Sequence, residues 1–134
     1  LADRFAEAFA EYAHHKVRTE FWGYAAKESL DNEAYIKEEY QGIRPAPGYP
    51  SCPDHRLKND IWDLLDVEQK INISLTDSLA MWPTASVSGL YFSHPQSRYF
   101  QLGRIDKDQV EAYSKSRGES IDENETWLSP VFGY

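Results

Sequence analysis

Three observations predict an α+β fold. Helical spacing of apolar residues fills the first half and the final quarter of the 134 residues. Short β-rich segments gather between Leu75 and Gly103. The helices flank those segments instead of alternating with them, which favours a twisted antiparallel sheet with helices beside it over a parallel βαβ arrangement. The length suits one domain, residues 1–134, because a second core does not fit. A composition that is 41% hydrophobic and 14% aromatic supplies the apolar surface that a disordered chain lacks.

From Ala2 to about Tyr24 the residues Phe5, Phe9, Tyr12, Val17 and Phe21 recur at three-to-five-residue intervals, drawing a drifting apolar stripe on a helix. The opposite face carries Asp3, Glu7, Glu11 and His14. Three carboxylates four apart repel one another, so this ridge is either a solvated face or one that awaits a cation or partner. Asp31 is the expected N-cap of a second helix, Asn32 to Tyr40, which Gly42 stops. Helical spacing returns from Leu57 to about Lys70, with Ile61, Leu64 and Leu65 expected to face a core. The segments 75–83, 85–92 and 97–103 read as three strands, punctuated by Pro83-Thr84 and His94-Pro95-Gln96. Asp106-Lys107-Asp108-Gln109 has the form of a capping box for a helix closed by Gly118. Ser120-Ile121-Asp122-Glu123 has the form of another capping box, opening a last short helix that Pro130 ends.

A formal charge of −8 repels phosphate backbones and anionic lipid surfaces, which excludes nucleic acid and membrane as expected partners. No stretch approaches the ~18 consecutive apolar residues of a membrane span. The single Cys52 rules out an internal disulfide and fits a reducing compartment, so a cytoplasmic protein is expected. Leu1 at the start, with helical rhythm by Phe5, gives the expectation of a piece excised from a longer chain.

The most informative stretch is Arg44 to His55, where four prolines forbid both helix and central strand. Fixed φ angles lower the entropy lost on ordering, and Gly48 permits a backbone geometry or close approach that a side chain blocks. Such a loop suits a small ligand, with Arg44 offering a planar fork to a carboxylate and Tyr49 an aromatic face. The competing reading is a structural loop with Arg44 simply ion-paired, and the residues alone leave both open. Cys52 and His55 lie three apart, but zinc needs about four ligands and no second Cys exists, so neither zinc nor a Cys–His nucleophile is expected. Around the turn at His94-Pro95, alternation sends one of Tyr91 and Phe92, and one of Tyr99 and Phe100, away from the core. No phosphate loop, nucleophile elbow or zinc-protease helix occurs.

These residues carry a resemblance. Arg44-Pro45-Ala46-Pro47-Gly48-Tyr49-Pro50, Cys52-Pro53-Asp54-His55, Ala80-Met81-Trp82-Pro83 with Ala85-Ser86-Val87-Ser88-Gly89, Tyr91-Phe92-Ser93-His94-Pro95 and Trp127-Leu128-Ser129-Pro130 closely resemble the C-terminal reactivation, or activation, domain of cobalamin-dependent methionine synthase. The resemblance runs from Asp3 to Tyr134 and implies part of a C-shaped α+β fold.

It also implies S-adenosylmethionine binding as part of a methyltransferase. The family domain supplies the methyl group that reductively methylates oxidised cob(II)alamin, with cobalamin on a neighbouring domain of the same enzyme and flavodoxin or a related flavoprotein as reductase. Carried over by motif, Arg44 holds the ligand carboxylate, while Ala46, Gly48 and Tyr49 line the ligand. Tyr99 and Phe100 form a second contacting stretch, and Glu7 is an acidic position beside it. Asp3 and His55 fall toward the cobalamin-domain interface. No catalytic residue and no zinc are expected in this chain.

Ser51 stands where alanine is common and Thr84 where glycine is expected. The family domain extends further on the N-terminal side, where an aspartate also contacts the ligand. The alternative function is a non-catalytic interaction module that docks on a cobalamin domain or flavoprotein without holding ligand.

Overall fold

A computed structural model describes residues 1–134. Helix α1 spans Ala2–Lys16 and runs into a π-helical turn, Val17–Phe21. Short α2 follows at Asn32–Ile36, then α3 (Leu57–Leu65) and α4 (Val67–Ile71). Strands β1 (Ser74–Leu75) and β2 (Met81–Trp82) form an antiparallel pair, with Ser74 opposite Trp82 and Leu75 opposite Met81. Helices α5 (Lys107–Arg117) and α6 (Ile121–Leu128) and a 3-10 turn at Ser129–Val131 complete the chain. The α+β class is as the sequence predicts.

The caps follow the sequence closely. Asp31 accepts from the Ala34 N–H, Asp106 and Gln109 close a full capping box, and Gly118 ends α5 with φ +71°. At Ser120 only half of the expected box forms, the Ser120 hydroxyl accepting from Glu123 N–H. The long third helix breaks in two, because Asp66 adopts a left-handed conformation, φ +53°, between α3 and α4. The second helix is also shorter than expected, with Glu38 at φ +53°.

The three expected strands resolve differently. The first segment supplies most of a hairpin, β1 and β2. The second is extended but pairs with the proline-rich loop: Ile43 and Phe92 exchange both backbone hydrogen bonds at 3.0 Å, and Leu90 N–H bonds Pro45 O at 3.0 Å. Prolines lack the N–H that a regular ladder needs, so the pairing stops after three bonds. The third segment forms no strand; Leu102 N–H reaches Pro50 O at 3.4 Å. Gly42 and Gly89 permit the close pairing, since a Cβ there would lie 2.4 Å from Phe92 O and 2.9 Å from Pro45 O.

Apolar burial is sparse. Ile105, Val110 and Leu128 form a small core between α5 and α6, packed by Tyr113, Val131 and Phe132. Of the expected inward residues of α3, Ile61 is half-buried but Leu64 and Leu65 face out, Leu64 being 83% exposed, while Trp62 and the Lys58 side chain take the buried side. Helix α1 is likewise turned over. Phe5, Phe9, Tyr12 and Phe21 are exposed, whereas His14 and the π-turn residue Arg18 are fully buried. The Glu11–His14 end of the acidic face is thus covered, while Asp3 and Glu7 on the same face stay exposed.

Candidate functional site

The inward face of α1, the proline-rich loop, the segment 84–88 and the stretch 99–101 enclose an open cleft of about 780 Å³. Arg44 is fixed there from the backbone outward. Its neighbours Ile43 and Pro45 are tied to Phe92 and Leu90, and its own N–H donates to the Tyr99 hydroxyl at 2.9 Å. Its side chain turns toward α1. Nη1 donates to Tyr40 Oη at 2.9 Å and meets His14 Nδ1 at 3.2 Å, and Nη2 donates to Glu11 Oε2 at 2.6 Å. Nε has no partner within the chain and Nη2 has only Glu11, so the Nε side of the guanidinium keeps donor capacity. Of the two sequence readings of Arg44, the ion-paired one is what the chain itself displays.

Asp3 and Glu7 line the cleft from α1, one turn apart, together with Ala6 and Ala10. Ala46, Tyr49, His55, Tyr99 and Phe100 line it as well. Tyr99 and Phe100 share this wall because their segment is not a strand, so alternation does not separate them. Gly48 is the exception among the expected site residues, since it lies behind the wall. With φ +98°, its hydrogen faces the His55 ring, and a Cβ would lie 2.1 Å from Cε1. The close approach the glycine permits is to an imidazole. Gly48 N–H donates to Cys52 O at 2.8 Å and Tyr49 N–H to Ala46 O at 3.2 Å, which closes the loop on itself.

His55 is held from the other side by Lys58, whose Nζ donates to Nδ1 at 2.9 Å and to Leu79 O at 2.7 Å. Burial, and then the Lys58 charge, push the His55 imidazole below its ordinary pKa; burial alone lowers that of Lys58. Burial and then the Asp54 charge push the Cys52 thiol up, away from the thiolate that a nucleophile needs. No three His, Cys, Asp or Glu side chains gather where they could hold a metal ion. No helix is long and apolar enough to cross a membrane.

Sequence reasoning missed Lys58, Ser86 and Ser88 on the cleft wall, and the layer behind Arg44. That layer had one visible signal: Glu7, Glu11 and His14 share a helix face by spacing, and two of the three support Arg44 from behind. His14 is fully buried, stacked on Tyr91 and edge-on to Tyr40, each at 5.0 Å between ring centres. Burial, aided by the Arg18 and Arg44 charges, holds its pKa down at about 3. Arg18 lies 4.0 Å over the Tyr40 ring and grips Glu28 through Nε and Nη2 at 2.7 and 2.8 Å.

Residues 1–118 match the family model described as vitamin B12 dependent methionine synthase, activation domain. A solved structure described as the MetH reactivation domain bound to AdoHcy is 58% identical. It superposes with a TM-score of 0.94 over 98% of this chain, which spans 41% of that one. A family match over most of the chain, with a shared fold at that identity, carries one conclusion: the chain belongs to the activation-domain family of vitamin B12 dependent methionine synthase, a methyltransferase.

Proposed function

We propose that this chain forms part of the S-adenosylmethionine site of a reactivation module, serving a cytoplasmic cobalamin-dependent methionine synthase. In that enzyme, S-adenosylmethionine supplies the methyl group for reductive methylation of oxidised cob(II)alamin on the neighbouring domain, with flavodoxin or a related flavoprotein as electron donor. The open edge of Arg44 in the cleft is the observation that carries the reading. A planar pair of donors beside empty space is matched to a carboxylate, two bonds at a time.

The other walls suit the rest of such a ligand. Tyr49, Tyr99 and Phe100 offer aromatic faces to a sulfonium cation, and Glu7 offers a carboxylate to a sulfonium or an ammonium. Ala46 presents only a methyl beside the backbone, which lets a flat group approach. Ser88 Oγ, buried on the cleft wall, has no partner in the chain. Asp3 and His55 lie at the same cleft and extend it toward a cobalamin domain. Displacement at a methyl group needs no general base, so these residues work by orientation and the chain alone is a donor platform, not a complete catalyst.

Calorimetry on the full-length protein tests this. Removing both fork bonds to a buried carboxylate in Arg44→Ala lowers S-adenosylmethionine affinity by roughly a hundredfold. Unchanged affinity removes Arg44 from the role. A ligand that binds only the folded state raises the melting temperature; no shift at high S-adenosylmethionine supports the docking module instead.

A further inference from the structure

We infer that His14 is a positioning residue for Arg44, its Nδ1 accepting from Nη1 so that the open Nε edge faces the cleft. The inference rests on the S-adenosylmethionine reading above, and concerns a residue, His14, that does not itself line the cleft.

Three acceptors surround the far side of the Arg44 guanidinium: His14 Nδ1, Tyr40 Oη and Glu11 Oε2. Glu11 holds Nη2 and Tyr40 holds Nη1, and His14 supplies a third point, the second acceptor on Nη1. A guanidinium has only donors, so Nδ1 must carry the lone pair and Nε2 the proton, directed at Tyr24 Oη 3.4 Å away. A proton on Nδ1 would set two donors against each other and leave Nη1 with Tyr40 Oη as its one acceptor. The surroundings oppose that proton. Two guanidiniums, Arg44 and Arg18, face the imidazole, with Glu28 as the one opposing charge; Tyr24, Tyr40 and Tyr91 complete the enclosure. The ring cannot turn away either, clamped between Tyr91 and Tyr40.

The test compares two ligands on the full-length protein, S-adenosylmethionine and its decarboxylated analogue. His14→Phe keeps a ring in the slot but removes the acceptor; His14→Asn places an amide oxygen near the Nδ1 position. His14→Phe is expected to weaken S-adenosylmethionine about tenfold and leave the decarboxylated analogue unchanged, with His14→Asn recovering most of the loss. Unchanged S-adenosylmethionine affinity in His14→Phe, or equal losses for both ligands, overturns the inference. Imidazole ¹⁵N spectra decide the same point without ligand and without any variant: a lone-pair Nδ1 at pH 5 supports it, and an imidazolium at that pH overturns it. Wild-type protein that binds neither ligand sinks the S-adenosylmethionine reading, and the spectra still judge His14.

Discussion

Two buried arginines, Arg18 beneath the cleft and Arg56 beneath the C-terminal helices, sit in networks of opposite character. Arg56 bonds Asp54 through Nε at 3.0 Å and Nη2 at 2.7 Å, Glu119 through Nη1 at 2.6 Å and Asn124 through Nη2 at 2.5 Å; Tyr113 donates to Asp54 at 2.7 Å. Burial works to raise the Asp54 pKa, but hydrogen bonds from Arg56 and Tyr113 outweigh it and hold the carboxyl low. Every buried side-chain polar atom there has a partner. The network behind the cleft does not close: Arg18 Nη1 and Glu11 Oε1 are buried without partners. A closed network fixes a fold, because each member is satisfied by the others. An open one tolerates unsatisfied groups, which is a cost expected beside a site that a ligand completes.

The largest expected effect breaks the closed side. Arg56→Met strands Asp54 and costs about 3–5 kcal/mol of stability, read as a lower urea midpoint, while the remaining folded protein binds ligand as before. Loss of binding without loss of stability would contradict the division. Next comes acid sensitivity of the open side. The His14 pKa is about 3 in the folded state and near 6.5 unfolded, so below pH 6.5 only the unfolded chain takes up this proton. Stability is full above pH 6.5 and falls by about 1.4 kcal/mol per pH unit down to pH 3. The lowered His55 adds in the same direction, whereas the lowered carboxyls of Asp54 and Glu28 withdraw stability only as pH falls below their ordinary range. His14→Asn should flatten most of the slope between pH 6.5 and 4.5; an unchanged slope would show that His14 does not cause it.

Smaller still is Gly48→Ala, at about 1–3 kcal/mol, because the new methyl strains a φ of +98° and displaces the His55 ring. Its melting temperature should fall further than that of an alanine at Gly103, where nothing lies within 4 Å of a Cβ. Smallest is the stability effect of Arg44→Ala. This pair is partly exposed, with side chains 22% and 33% accessible, and costs at most about 1 kcal/mol. Arg44 and Arg56 thus separate the two networks: one variant loses ligand and keeps its fold, and the other does the reverse.

Local signals were the legible part. Asp31, Asp106 and Gly118 act through neighbours a few residues away, so their motifs carry their structure. The proline-rich loop announced itself because proline restricts φ whatever surrounds it. Facing was not legible. The spacing of Phe5, Phe9 and Phe21 defines an amphipathic helix, but periodicity cannot say which side the rest of this chain covers, and polar contacts from Arg44 with the rings of Tyr40 and Tyr91 claimed the other. The strand readings failed for a related reason: 85–92 found its partner in Ile43–Pro45, 45 or so residues away, and no local pattern encodes that choice. Among the site residues, Arg44 and the aromatic stretch stood out by type, whereas Lys58 and His14 became informative only once their partners were known.

The π-helical turn makes the cleft sensitive to chain length at a distance. At the Val17–Phe21 turn the backbone bonding spans five residues instead of four, with Trp22 N–H reaching Val17 O at 3.0 Å. One residue more than an α-helix needs is thereby absorbed inside the element. Deleting a single residue from this turn would let α geometry continue and rotate everything after it by about 100°. Arg18 would leave the Tyr40 ring and Glu28 together, although no cleft residue had been changed. This frame of one surplus residue links the numbering of the first helix to the set of the arginine that faces the ligand.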